Sequence, residues 1–215
     1  MKKAPASPPF TFDPAQAVVH LRASDPVLGA LIDRVGPFTL ELRAADSLFA
    51  ALVQSIVYQQ LNGRAASTIH GRVLAAVAPL GGITPEAFAR APDAALRGAG
   101  LSAGKLRAIR DLAQKSRDGL VPTLREARAL EDAELMARLT QVRGIGPWTV
   151  HMLLIFCLGR PDVLPTGDFA VRQAFKRHYR KRKEPTPELL ARHARRWQPY
   201  RSVASWYLWR SLDLD

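Results

Sequence analysis

The chain has 215 residues, 47% of them apolar, enough for one large domain or two small lobes with a substantial core. Thirty-one Lys and Arg against nineteen Asp and Glu leave a formal charge of +12. That balance points to nucleic acid or another acidic surface as partner, although a basic protein with no polyanionic partner has the same composition.

A single cysteine, Cys157, excludes an intrachain disulfide and a four-thiolate iron–sulfur cluster, and its apolar surroundings predict a packing role. The five histidines show no zinc-like spacing. Residues 1–9 lack the apolar core of a signal peptide, and no run approaches the ~18 apolar residues of a membrane span. The expectation is a cytoplasmic protein without a membrane partner, nucleoid-associated if bacterial.

In chain order, residues 1–14 are rich in proline and predict a flexible arm, with a helical domain over 15–215. Asp25 followed by Pro26 predicts a helix over 25–34. Phe38 to Leu42 alternates and suggests a short extended piece. From Ser47 the set Leu48, Phe49, Leu52, Val53, Ile56, Val57 and Leu61 follows the 3.6-residue period. Asn62-Gly63 breaks it, and a second helix spans Arg64 to Ala78. Short helices follow around 85–98, then a Ser102-capped one over 103–117. Residues 131–140 and 147–159 predict two helices around a glycine hairpin. Asp168, Thr186-Pro187 and Pro199 each open a further helix. The fold class is all-α, without an internal repeat.

Within Val142-Arg-Gly-Ile-Gly-Pro147, Gly144 and Gly146 bracket Ile145. Glycine permits positive φ and close backbone approach, and Pro147 suits the first position of a helix. Unpaired N–H groups at that helix start, with its positive dipole end, make an anion site, while Ile145 plugs the tip into the core. A helix on each side marks residues 131–159 as a helix–hairpin–helix element for the DNA backbone. Such a hairpin specifies no reaction. Asp168, at the end of Leu164-Pro-Thr-Gly-Asp168, is read either as a plain N-cap or as a carboxylate at a reacting sugar. The run Lys176-Arg177 and Arg180 to Lys183 is read either as a solvated helix end or as a secondary DNA contact.

Five ordered blocks carry a wider likeness: 54–61, 100–107, 144–149, 162–169 and 199–209. From about Ser47 onward the chain resembles the helix–hairpin–helix DNA glycosylases, and within them the DNA-3-methyladenine glycosylase II branch. The resemblance implies a two-lobed fold with an active-site cleft between lobes. With 46 residues before Ser47, the N-terminal α/β domain of some relatives is expected to be absent or reduced. It implies an enzyme that flips alkylated N3- or N7-methyl purines out of double-stranded DNA and hydrolyses the N-glycosidic bond. Asp168 would be the catalytic carboxylate. Tyr58, Trp148, Trp206 and Trp209 would line the base pocket, with Trp148 and Trp209 the best placed by motif position. Trp148 stands where strand-cleaving branches carry a Schiff-base lysine, so the resemblance implies a monofunctional hydrolase without lyase activity. Leu61 would wedge into the gap left by the flipped nucleotide. Gly144, Gly146 and Thr149 would bind phosphate. The carbonyls of Thr140, Val142 and Ile145 would hold a structural Na+ or K+, no cofactor being required. A monomer is expected. The competing readings are a glycosylase for deaminated or oxidised bases and a non-catalytic DNA-binding module.

Overall fold

The computed structural model describes residues 10–214, and all regular secondary structure among them is helical. In chain order the helices are α1 (Pro14–Ser24), α2 (Pro26–Val35), α3 (Leu48–Tyr58), α4 (Gly63–Val77), α5 (Pro85–Arg90), α6 (Asp93–Gly98), α7 (Ala103–Arg117), α8 (Leu124–Ala129), α9 (Asp132–Leu139), α10 (Pro147–Phe156), α11 (Phe169–His178), α12 (Pro187–His193) and α13 (Arg201–Ser211). None of these helices is long and apolar enough to cross a membrane. The chain divides into two compact units. A middle unit runs from Ala45 to Leu153, and a terminal unit combines the residues up to Ala44 with those from Leu154 onward. The boundary falls inside α10.

In the middle unit, side chains just outside several helices satisfy free N–H groups of the first turn. Ser47 Oγ accepts from Ala50 N at 3.0 Å, Asn62 Oδ1 from Ala65 N at 2.9 Å, and Ser102 Oγ from Lys105 N at 3.2 Å. The Asn62-Gly63 break is thus the cap of α4 as well as the end of the helical run. α3 buries Leu48, Phe49, Leu52, Val53, Ile56 and Val57, the face its periodicity predicts. It packs on α4 and on α7, which buries Leu106, Ile109 and Leu112. Phe49 meets Phe88 of α5 edge-on at 5.7 Å. Helix α8, not predicted, is one and a half turns long and is fixed by a reciprocal capping box between Thr123 and Glu126.

The terminal unit begins earlier than the sequence suggests. Residues 1–9 of the expected arm lie outside the described residues, but Phe10 and Phe12 are packed, 5.7 Å from Phe38 and 6.0 Å from Tyr200 respectively. Asp13 then caps α1, a helix the proline-rich composition hid. α1 lies so close to α2 that a Cβ at Gly29 would come within 3.3 Å of the Arg22 carbonyl. Phe38 to Leu42 alternates between covered and exposed residues, as its pattern implies, but has no regular secondary structure and pairs with no strand. Leu21, Leu28, Ile32, Phe175, Trp197 and Tyr207 form the fully buried centre. Cys157 is buried and forms no disulfide. The last helix starts at Arg201 rather than Pro199.

One carboxylate holds this unit together. Asp25, 1% exposed, caps α2 through Oδ1, which accepts from Val27 N at 3.1 Å and Leu28 N at 3.3 Å. Its Oδ2 meets Tyr179 Oη at 2.8 Å, His193 Nε2 at 2.9 Å and Trp197 Nε1 at 2.9 Å. Burial alone would raise its pKa. The hydrogen bonds from His193, Trp197, Tyr179 and Leu28 outweigh burial and hold the carboxyl far below the usual range.

Replacing Asp25 by Ala deprives Val27 N, Leu28 N, Tyr179, His193 and the buried Trp197 indole of their shared partner and is expected to cost about 3–5 kcal/mol in urea unfolding. Because the folded pKa lies below the reference 3.8, this stabilisation is complete above that pH and is lost as pH falls beneath it. The parent should therefore show a steeper acid loss of stability below pH 3.8 than Asp25→Ala does.

Candidate active site

The return loop of the terminal unit brings the chain from α10 to Asp168. Asp162 fixes its start by taking Arg201 Nε on Oδ1 at 2.7 Å and Arg201 Nη2 on Oδ2 at 2.8 Å, a two-pronged ion pair. Val163 N donates to Ser202 Oγ and Ser202 N to the Pro161 carbonyl, each at 2.9 Å. The loop is therefore bound to the first turn of α13. It ends in a turn closed by Asp168 N on the Pro165 carbonyl at 2.9 Å.

Asp168 is the N-cap of α11, and Val171 N donates to its Oδ1 at 2.8 Å. The same Oδ1 accepts Trp209 Nε1 at 2.9 Å, from the far end of α13. With 7% of its surface exposed, the carboxylate is a buried polar group compensated by hydrogen bonds. The plain cap and the sugar-facing carboxylate are compatible readings, because capping sets the orientation that chemistry would use. Trp209 in turn stacks on Phe156, with centroids 5.4 Å apart at 29°, and the Arg43 guanidinium lies 5.1 Å from the centroid of the other ring, Phe156. Arg43 N also donates to the Phe156 carbonyl at 2.7 Å. Phe156 and Arg43 carried no sequence signal. Phe169, beside Asp168, is 69% exposed and was also passed over.

The expected base-pocket residues therefore separate. The Trp209 indole N–H is committed to Asp168, so the residue positions the carboxylate in addition to any base contact. Trp206 is buried edge-on against Phe38 at 4.8 Å and Tyr207 at 4.9 Å, and the packing of the terminal core accounts for it without a pocket role. Tyr58 is half-buried and edge-on to His70 at 6.0 Å. Trp148 is 52% exposed.

In the middle unit the hairpin follows the expected pattern at Ile145, which is buried, and at Gly144, which has φ +77°. A Cβ at Gly144 would also press on Ala108 Cβ at 3.3 Å. Gly146 differs: its φ is not positive and a Cβ there would meet nothing within 4 Å. The fold does not require glycine at that position, and the space is left open. Thr149, also expected at the phosphate, is only 6% exposed.

α7 braces this region. Asp111 Oδ2 accepts Arg143 N at 2.7 Å, and Lys115 Nζ reaches the Gln141 carbonyl. Burial pushes the Asp111 carboxyl up, but the Arg143 N–H and Lys115 outweigh it and leave it below its ordinary value. One turn-chain away, Lys105 Nζ donates to the carbonyls of Val57 at 2.7 Å and Gln59 at 2.8 Å, capping the C-terminus of α3. Burial pushes the pKa of that ammonium down. Gln59 Nε2 bonds the Gly144 carbonyl at 2.9 Å, tying the turn to the hairpin. Gln60 follows in the left-handed region, φ 57°, and presents Leu61 at 39% exposure. Leu61 is thus no core residue, as a wedge requires.

No group of His, Cys, Asp or Glu among the described residues could hold a metal ion. The expected cation position offers backbone oxygen alone. Val142 O already accepts Ile145 N at 3.0 Å and keeps a second lone pair. An uncharged oxygen set fits a monovalent ion and not a transition metal.

Comparison with known proteins adds to this geometry. The HhH-GPD superfamily base excision DNA repair model matches residues 53–199. DNA-3-methyladenine glycosylase 1 of Schizosaccharomyces pombe is 39% identical over 157 residues, 73% of this chain and 68% of that protein. The solved structure of an S. pombe 3-methyladenine DNA glycosylase in complex with abasic DNA superposes with a TM-score of 0.78 at 35% identity, covering 90% of this chain and 95% of that one. A DNA-3-methyladenine glycosidase from Bacillus halodurans gives 0.80 at 36% identity, covering 93% and 88%.

Lys105→Met should leave the Val57 and Gln59 carbonyls without their donor and cost about 1–3 kcal/mol in chemical denaturation. Limited proteolysis should then cut first at residues 59–62. Unchanged stability and protease resistance would remove the bracing role.

Proposed function

The chain belongs to the HhH-GPD superfamily of base excision DNA repair proteins, and we propose that it is a monofunctional DNA glycosylase acting at Asp168 on alkylated purines in duplex DNA. The observation that carries this reading is the carboxylate of Asp168, buried and oriented by Val171 N and Trp209 Nε1 at the place of the family aspartate.

An N3- or N7-alkylated purine is cationic in DNA and leaves as a neutral base, without needing a proton. As the C1′–N bond breaks, its electron pair goes to the base and positive charge builds on the sugar. The Asp168 carboxylate stabilises that charge and accepts the proton of the water that bonds to C1′. Trp148, exposed on the first turn of α10, is available to stack on an electron-poor ring, an attraction of about 1–2 kcal/mol when desolvated. No amine stands at that position to form a Schiff base. Leu61 fills the space of the extruded nucleotide. The open face of Gly146 and the amide-bearing start of α10 accept a backbone phosphate. The carbonyls of Thr140, Val142 and Ile145 would hold a monovalent cation as an electrostatic anchor for that phosphate.

Asp168→Asn keeps an oxygen for both hydrogen bonds, so the variant should fold. Its single-turnover release of methylated base should fall by about 10²–10⁴-fold, while the parent should leave an intact strand carrying an abasic site. Release near the parent rate would sink the mechanism, and strand scission by the parent would sink the monofunctional reading.

The Cβ added by Gly146→Val meets no protein atom within 4 Å, so its melting temperature should stay close to the parent's. Its affinity for undamaged duplex should drop with a salt slope shallower by about 0.9, the loss of one phosphate contact. An unchanged slope would take the hairpin out of the phosphate contacts.

A further inference from the structure

From Phe169 to Lys183 the chain carries no acidic residue. α11 has ten residues, so its far end lies about 15 Å from the Asp168 carboxylate. There Gln173, Lys176, Arg177, Arg180, Lys181 and Arg182 line a depression of about 480 Å³. No ion pair among the described residues engages Lys176, Arg180, Lys181 or Arg182. The next acid, Glu184, turns back to pair with Arg172 and to accept Gln173 Nε2 at 2.9 Å. The run is therefore held against its own helix, and the cations of Lys176, Arg180, Lys181 and Arg182 are left without a counter-charge among the described residues.

A second observation concerns the backbone. α11 ends with Lys181 N on the Lys176 carbonyl at 2.9 Å, and Arg180 occupies the left-handed position of that ending, φ 50°. Glycine fills such a position without steric cost. Lys176 and Arg177, in the last turn, complement the helix dipole, but that effect ends with the helix and gives no reason for arginine at 180. Strain retained in order to keep a cation is the mark of a contact.

We propose that this depression is a second phosphate-binding surface for duplex DNA, separate from the hairpin. The proposal rests on the glycosylase reading above. A separation of about 15 Å equals about four base-pair steps of 3.4 Å, so the phosphates it meets lie outside the base pair opened at Asp168. They belong either to the flanks of the same duplex or to a second one.

The test uses the full chain with Arg180→Gly and with the triple variant Lys176→Gln, Lys181→Gln, Arg182→Gln. Binding to an undamaged duplex of about 25 base pairs is followed from about 50 to 200 mM salt. Arg180→Gly should melt higher than the parent, its strain relieved, yet bind more weakly with a slope shallower by about 0.9; for the triple variant the change should be about 2–3. Base release from saturating lesion DNA should match the parent in both. Flanking contacts predict that the difference vanishes on a lesion duplex of about 8 base pairs. A second-duplex contact predicts that only the parent holds two differently labelled duplexes in one complex. Parent-like slopes and affinities in both variants would overturn the surface. A parent that binds duplex but releases no base would instead strike the glycosylase reading and leave the surface standing.

Discussion

The hydrogen bond from Trp209 Nε1 to Asp168 Oδ1 closes a ring of constraints around the terminal unit. The return loop is anchored at one end by the Asp162–Arg201 pair at the start of α13, and at the other by Trp209 near the end of the same helix. α13 spans about 12 Å between those two residues. A rigid rod thus sets the separation of the loop's two ends, and the carboxylate cannot drift without breaking the indole bond or the cap on Val171. Stacking on Phe156, itself held by Arg43, removes the remaining freedom of the indole. Reorganisation during the reaction costs little when the charge-stabilising group is fixed beforehand.

The middle unit solves the corresponding problem for its exposed parts with one helix. Lys105, Asp111 and Lys115 project from α7 onto two backbone segments: the end of α3, and the stretch entering the hairpin at the Gln141 carbonyl and the Arg143 amide. These charged side chains add polar anchors to the buried apolar ones, Val57 at the end of α3 and Val142 and Ile145 at the hairpin. Gln59 then links the turn to the hairpin directly. Leu61 and the hairpin are in this way referred to a common support.

Much of this architecture was legible in the sequence because it rests on local rules. Caps at Asp25, Ser47, Ser102, Asp168 and Thr186, and the periodic face of α3, are properties of neighbours a few residues apart. α1 was missed because only Ala17 and Leu21 are buried and its proline start merges with the arm. α8 was missed because six residues carry too little period to register. The site was less legible than the fold. Trp209 lies 41 residues from Asp168, and nothing in its neighbourhood says where its N–H goes. The burial of Thr149 and the open face of Gly146 likewise depend on what packs around the hairpin, which spacing alone does not encode.

Where local rules are broken, the exceptions share a character. Gln60 and Arg180 take left-handed backbone without being glycine, while Leu61, Trp148 and Phe169 leave large apolar side chains in water. A left-handed backbone at a residue other than glycine costs some fraction of a protein's modest stability. Gln60 precedes the exposed Leu61, and Arg180 sits beside Lys176, Lys181 and Arg182. Phe169 follows the Asp168 carboxylate directly, and Trp148 opens the helix after the hairpin. These positions lie at the carboxylate, the hairpin, the Leu61 turn and the basic run, where a partner that supplies stacking and negative charge would offset their cost. Duplex DNA with one base extruded supplies both, which is why the strained positions and the chemistry at Asp168 belong to a single functional argument.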